Sequence, residues 1–565
     1  MSTPASHSSA RNTQPDDATR HPLLEINDLV VSYGTAKGLV HAVNNVSLQV
    51  HPGQITAIVG ESGSGKSTTA QAVIGLLADN AEVDSGEITF KGQSLVGLKP
   101  REWKQIRGTR IGLIPQDPNN SLNPVKTIGA SVGEGLAIHR RGTAEPRKKR
   151  VIELLGRVGI DNPEVRYNQY PHELSGGMKQ RALIAAAIAL EPELIIADEP
   201  TSALDVTVQK IILDLLEEMQ EELGLGILFI THDLAVAGDR ADQIVVMKKG
   251  EVRESGHAVS VLTDPQDSYS RQLLADAPSL TVGEIPARIP IVDPEEARAR
   301  GPLLVVDNFR KEYQRGKDDV FVAVDNVSFD VLPGTTHAVV GESGSGKTTI
   351  GRAIAAFNTP TSGSITVAGR EITRLTKPQQ RELRRKVQLV YQNPYSSLDP
   401  RQSIGATIGE PLRNFTKQSK KEISSQVAHY LDLVALDSQM ASRRPRELSG
   451  GQRQRVAIAR AMILEPELVV FDEAVSALDV TVQAQILRLL DELQRELGLT
   501  YVFISHDLAV VREISDTVSV LSRGQQVEQG LTADVFNNPQ SDFTRQLIDA
   551  IPGSRYRCGD LNLGL

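Results

Sequence analysis

Apolar and polar positions fall in the same succession twice along the chain. Ala42-Val43-Asn44-Asn45-Val46-Ser47-Leu48 alternates as a half-buried strand does, and Ala323-Val324-Asp325-Asn326-Val327-Ser328-Phe329 repeats the pattern. A Pro-Gly turn follows each, Pro52-Gly53 and Pro333-Gly334, and then a short apolar run, Ile55 to Val59 and His337 to Val340. Further on, Leu194-Ile195-Ile196-Ala197 and Leu468-Val469-Val470-Phe471 are apolar at every position. That pattern predicts central strands of a parallel sheet, covered by helices on both faces. Each run ends in acid, which places carboxylates at the C-terminal edge, where such sheets bind ligands. Between these strands, Pro146 to Leu155 opens on proline and carries apolar residues at helical spacing, so a helix is predicted there with its basic run on a solvated face.

The residues able to do chemistry are doubled in the same order. The first series is Gly60-Glu61-Ser62-Gly63-Ser64-Gly65-Lys66-Ser67, with Thr68 next, then Gln116, Leu174-Ser175-Gly176-Gly177, Asp198-Glu199 and His232. The second is Gly341-Glu342-Ser343-Gly344-Ser345-Gly346-Lys347-Thr348, with Thr349 next, then Gln392, Leu448-Ser449-Gly450-Gly451, Asp472-Glu473 and His506. From aspartate to histidine the distance is 34 residues in both copies.

A glycine loop after a strand and before a helix turns backbone N–H groups toward a polyphosphate, and the helix N-terminus adds positive dipole. Lys66 and Lys347 supply a point charge to the β- and γ-phosphates; Ser67 and Thr348 supply a hydroxyl for Mg²⁺. Asp198 and Asp472 are the expected Mg²⁺ carboxylates, with Gln116 and Gln392 as sensors of metal and water. Glu199 and Glu473 are the candidate general bases, since phosphoryl transfer needs mostly positioning and charge neutralisation. His232 and His506 are expected at the γ-phosphate. Tyr33 and Tyr313 are candidates to stack on adenine. Loop, acid and histidine together predict binding and hydrolysis of ATP with Mg²⁺.

Composition narrows the class. A net charge of −9 argues against a nucleic-acid surface, which needs clustered Lys and Arg. One cysteine, Cys558, rules out disulfides within the chain and any metal site built from several of its cysteines, an iron–sulfur cluster included. No span reaches the roughly 18 apolar residues of a membrane helix; the most apolar stretch, Ala182 to Leu190, is stopped by Glu191. The expected organisation is a disordered polar tail over 1–21, a first domain over 22–280, a proline-containing linker over 281–301, a second domain over 302–553 and a tail over 554–565. About twenty linker residues at ~3.3 Å each span up to ~70 Å, enough for two domains to face each other.

Leu174-Ser175-Gly176-Gly177-Met178-Lys179-Gln180-Arg181 and Leu448-Ser449-Gly450-Gly451-Gln452-Arg453-Gln454-Arg455 resemble the signature of ABC-type ATPases. The resemblance covers roughly residues 22–553. It implies an α/β fold of two tandem P-loop nucleotide-binding domains, each with a mostly parallel sheet core, an antiparallel β part and a helical subdomain. It also implies head-to-tail pairing: Ser175, Gly176 and Gly177 would serve the ATP held by Lys347, and Ser449, Gly450 and Gly451 the ATP held by Lys66.

The strings Gln116 to Pro124 and Gln392 to Pro400, with the tails DPQDSYSRQLLADAP and NPQSDFTRQLIDAIP, look like the ATPases of dipeptide, oligopeptide and nickel importers. The first half is similar to the D-type subunit and the second to the F-type, as in a fusion of the two. The resemblance implies a peripheral protein on the cytoplasmic face of the membrane. Its partners would be two integral-membrane permease subunits, fed by an extracytoplasmic solute-binding protein. The loops after Gln116 and Gln392 would face outward toward the permeases, with Leu122 and Leu398 among the coupling residues. The second half departs from the family string: Ala474-Val475 replaces the Pro200-Thr201 of the first half, which puts loop geometry after Glu473 in question. The alternatives are a soluble twin ATPase acting on ribosomes, or an importer of nickel or another small solute.

Overall fold

The computed structural model describes residues 21–35, 38–202, 204–280, 299–314, 316, 319–392, 397–476 and 478–553. The expected tails, apart from residue 21, and residues 281–298 of the expected linker lie outside them.

In the first half the strands are β1 (Leu24–Thr35), β2 (Gly38–Val50), β3 (Ile55–Val59), β4 (Ala81–Phe90), β5 (Gln93–Ser94), β6 (Ile111–Ile114), β7 (Leu194–Asp198), β8 (Gly226–Thr231), β9 (Gln243–Lys248) and β10 (Glu251–His257). They make two sheets. One is antiparallel in the order β2-β1-β4-β5; the other runs β10-β9-β3-β8-β7-β6 and is parallel except at its β10-β9 edge. The helices that position the site are α1 (Lys66–Val73), α2 (Ala144–Arg157), α3 (Gly176–Ile188) and α4 (Val206–Leu223).

The second half repeats this with β11 (Leu304–Gln314), β12 (Val320–Val331), β13 (Thr336–Gly341), β14 (Ser362–Val367), β15 (Arg370–Glu371), β16 (Val387–Val390), β17 (Leu468–Asp472), β18 (Thr500–Ser505), β19 (Thr517–Ser522) and β20 (Gln525–Leu531). The sheet orders are β12-β11-β14-β15 and β16-β17-β18-β13-β19-β20. Its helices are α5 (Lys347–Ile354), α6 (Ile404–Phe415), α7 (Lys420–Leu433), α8 (Gly450–Met462) and α9 (Val480–Leu497), of which α5, α7, α8 and α9 match α1 to α4.

The fully apolar runs form parallel strands because both of their faces are buried. Ile55, Ala57 and Val59 of β3 enter one core cluster, while Ile58 enters another on the opposite face. β7 splits likewise, Ile195 and Ala197 to one side and Leu194 and Ile196 to the other, as the two-residue side-chain period of a strand requires. β3 and β8 are the most central strands, whereas β7 and β17 lie second from the edge, covered by β6 and β16. The predicted helix at Pro146 starts two residues earlier, at Ala144, with Pro146 in the first turn. The first turn has no intrahelical partner for its N–H groups, so proline costs little there. Lys148 and Lys149 stay exposed, as expected of a solvated face.

The halves touch in a reciprocal way. Val206, the first residue of α4, is 7% exposed and belongs to the core cluster of the second half. Val480, the first residue of α9, packs against the cluster of the first half. The tails cross over as well. Asp276 pairs with Arg488, and Arg512 donates to the Pro278 carbonyl. In return the Gly553 N–H donates to Asp239 at 2.6 Å. No helix among the described residues is long and apolar enough to cross a membrane.

Candidate active sites

Each glycine loop joins the C-terminal end of a central strand to a helix, β3 to α1 and β13 to α5. Gly60 has φ +155°, and a Cβ there would stand 2.1 Å from the Met247 carbonyl; Gly341 has φ +148° and the same 2.1 Å clash with Leu521. Only glycine fits either place. Ser62, Gly63, Ser343 and Gly344 are exposed at the loop crests, while Ser64, Ser345, Lys66 and Lys347 are buried, with Gly65 and Gly346 directly ahead of the lysines. The Lys66 ammonium donates to the carbonyls of Gly60 (2.6 Å) and Glu61 (2.9 Å), and Lys347 repeats this with Gly341 (2.7 Å) and Glu342 (2.8 Å). Ser64 and Ser345 each bury a hydroxyl that has no partner. Unpartnered donors in a loop that already turns a lysine inward fit a polyphosphate acceptor. Burial lowers the pKa of both lysines, and facing carboxylates oppose this in part: Glu199, Asp479 and Asp198 at Lys66, and Glu473, Asp205 and Asp472 at Lys347.

At the strand ends, Ser67 donates to Asp198 at 3.0 Å and Thr348 to Asp472 at 2.8 Å. Burial raises both aspartates above the usual carboxylate range, against those hydroxyl bonds. A hydroxyl beside a carboxylate at the phosphate loop is an all-oxygen donor set that suits Mg²⁺.

Glu199 and Glu473 follow with φ +44° and +50°, a left-handed conformation that is rare outside glycine and is associated with functional sites. Their N–H groups are fixed by the carbonyls of Ile230 (2.9 Å) and Ile504 (3.0 Å) in the neighbouring strand. Gln116 donates to Glu199 and Gln392 to Glu473, both at 2.7 Å. His232 Nδ1 lies 3.5 Å from Glu199, and His506 Nδ1 lies 3.3 Å from Glu473. Burial pushes both glutamates up. The bonds and charge of the histidines, with the lysines behind them, outweigh it and hold both carboxyls below their ordinary value. The histidines move the other way: burial lowers them, the glutamates raise them, and the net direction is up.

The loop after Glu473 keeps the geometry of its counterpart despite Ala474-Val475. Ser202 N–H donates to the Glu199 carbonyl at 3.2 Å and Ser476 N–H to the Glu473 carbonyl at 3.3 Å; the next turn bonds are 3.3 and 3.2 Å. Ala474 and Val475 are both buried, so the exchange is absorbed by packing and leaves the glutamate in place.

The signature serines cap helices α3 and α8: Ser175 accepts from the Met178 N–H at 3.4 Å and Ser449 from the Gln452 N–H at 3.3 Å. Ser175, Gly176 and Ser449 are exposed and Gly450 is half-buried; Gly177 and Gly451 are buried against Val208 and Val482, close enough to exclude a side chain. Tyr33 sits by the first loop, its hydroxyl 3.4 Å from Thr68, while Tyr313 is exposed with Lys311 over its ring. Thr349 lies in the first turn of α5, half-buried.

Leu122 and Leu398 do not face outward. They are 4% and 2% exposed and belong to the cores beneath their loops. The large hydrophobic that the first loop exposes is Val125, at 79% exposure. Residues 393–396 of the second loop lie outside the described ones.

Sequence reasoning passed over Asp205 and Asp479. Each caps the helix that follows, α4 or α9, and each lies near the lysine of the opposite half. Their signal was present in the paired Ser-Ala-Leu-Asp strings, whose reach across the halves local pattern could not reveal. One cleft of about 750 Å³ collects residues of both halves, among them Glu199, His232, Ser62, Glu473, His506 and Ser343.

Two phosphate loops, each with its own acid pair, glutamine and histidine, define a twin P-loop ATPase. The ABC transporter family model matches residues 43–202 and 324–476, and the chain belongs to that family. It is 43% identical to a peptidoglycan transport ATP-binding protein of Agrobacterium fabrum, over 94% of this chain and 97% of that one. It is 40% identical to a glutathione import ATP-binding protein of Salmonella choleraesuis, over 95% of this chain and 90% of that one. It is also 40% identical to an oligopeptide transport ATP-binding protein of Mycobacterium tuberculosis, over 94% and 98%. The chain is an ATP-hydrolysing protein that carries two such cassettes.

Proposed function

We propose that this chain is the energising subunit of an importer of short peptides, with two ATP sites shared head to tail between its halves. The observation that carries the shared sites is the reciprocal crossing of the segments after the acid pairs, which sets Asp479 near Lys66 and Asp205 near Lys347. The names of the three relatives support import of peptide-like solutes. The chain would sit on the cytoplasmic face beneath two permease subunits supplied by an extracytoplasmic binding protein.

In this reading Lys66, Ser64 and the loop N–H groups hold the β- and γ-phosphates of one ATP, and Lys347, Ser345 and their loop hold the other. Ser67, Asp198 and Gln116, or Thr348, Asp472 and Gln392, would hold Mg²⁺, which when bound would neutralise charge at the phosphates. Glu199 accepts the proton of the attacking water, oriented by Gln116 and His232; Glu473 does so with Gln392 and His506. The N-termini of α3 and α8 present free N–H groups and dipole to the γ-phosphate across the interface.

The test is growth. A strain lacking the chain is expected to lose growth on di- to oligopeptides as sole source of a required amino acid. The intact gene restores it, and a Lys66→Ala, Lys347→Ala gene does not. Loss of glutathione use alone would move the substrate to that tripeptide, and normal use of both would end the peptide assignment.

A further inference from the structure

The tail of the first half does more than mark a subfamily. Glu254 of β10 accepts from the N–H groups of Gln266 (2.8 Å) and Asp267 (3.2 Å), and Asp267 caps the helix Ser268–Ala275. This anchoring aims the buried Tyr269 at the back of the glycine loop. Its hydroxyl accepts from the Glu61 N–H at 3.3 Å and meets the Glu61 carboxylate as well, with Lys248 4.0 Å above the ring. The second tail is anchored alike, Glu528 accepting from Gln540 (2.8 Å) and Ser541 (3.0 Å). The aromatic it delivers is Phe543, which has no hydroxyl, and Ser522 stands in the place of Lys248.

A second difference lies across the interface. Thr207 of the first half donates to Asp205 at 2.7 Å and stands 3.4 Å from the Glu342 carboxylate in the glycine loop of the second half. Its counterpart Thr481 is buried and its hydroxyl has no partner. Glu61, the residue it would meet by symmetry, is engaged by Tyr269.

We propose that Tyr269 is a positioning residue for the ATP bound by the Lys66 loop: its hydroxyl fixes Glu61 within the first half, and so makes the two ATP sites unequal. The Lys66 loop is held from its own side, whereas Glu342 of the Lys347 loop faces Thr207 of the other half at 3.4 Å, with the Thr207 proton directed to Asp205. The inference rests on the reading of both loops as ATP sites.

Two full-length backgrounds separate the sites, Lys347→Ala leaving the first loop and Lys66→Ala the second. In the Lys347→Ala chain, Tyr269→Phe is expected to weaken binding of trinitrophenyl-ATP with Mg²⁺ by about 2- to 10-fold, the net value of a typical hydrogen bond. In the Lys66→Ala chain the same substitution changes nothing. In the chain with both lysines, Tyr269→Phe raises KM for ATP with little change in kcat. The ring is kept, so the fold is kept, and an unchanged melting temperature verifies it. Unchanged affinity in the Lys347→Ala background, or an equal loss in both backgrounds, would overturn the role of Tyr269. A Lys347→Ala chain that binds no nucleotide at all would instead overturn the two-site reading on which it rests.

Discussion

Glu199→Gln together with Glu473→Gln cuts steady-state ATP turnover of the assembled transporter about 100-fold or more, and either substitution alone removes its own site's share. A general base typically contributes ~10²- to 10⁴-fold. Each carboxylate is placed to act as one. A glutamine donates to it at 2.7 Å, a histidine stands beside it, and its own N–H is pinned to the neighbouring strand. Gln has the same shape but accepts no proton. The Ala474-Val475 departure predicts no exemption for the second site, because the backbone hydrogen bonds of the turn after Glu473 match those of its counterpart. Phosphate release by the purified complex is the readout, with ATP binding measured alongside. Full turnover in one variant would make that site a binding site only.

Val206→Asp is expected to loosen the two halves and lower ATP turnover at least tenfold while each half stays folded. Val206 leaves its own half and ends in the core of the other, at 7% exposure. Burying it contributes about 1.5–3 kcal/mol, and an unpaired carboxylate there adds a desolvation cost of several kcal/mol. The tail contacts through Asp276, Arg488 and Gly553 remain, so the halves stay tethered. Small-angle scattering should report a larger radius of gyration, with secondary structure unchanged by circular dichroism. An unexpanded chain with normal turnover would show that the Val206 contact does not hold the halves.

Much of this fold is legible in the order of residues alone. The strands β3, β7, β13 and β17 are buried on both faces, and a short apolar run ending in Gly or Asp-Glu has few other uses. The loops, acids, glutamines and histidines sit at fixed distances along the chain, so their chemistry is legible as well. What sequence does not supply is direction. Leu122 and Leu398 are leucines in loops, and nothing local distinguishes a leucine that faces a partner from one that plugs its own core. Asp205, Asp479 and Tyr269 meet the glycine loops across tertiary space, where spacing along the chain carries no information. The start of α2 differs from expectation by two residues because proline is tolerated anywhere in a first turn.

The central claim is that each ATP lies between the glycine loop of one half and the signature of the other. Cysteine pairs in a Cys558→Ser background test it most directly. With ATP and Mg²⁺, in a Glu199→Gln, Glu473→Gln chain that cannot turn over, Ser62→Cys with Ser449→Cys and Ser343→Cys with Ser175→Cys should crosslink within the chain. Ser62→Cys with Ser175→Cys, and Ser343→Cys with Ser449→Cys, should not. Crosslinks confined to the same-half pairs, or equal in all four, would contradict the head-to-tail account.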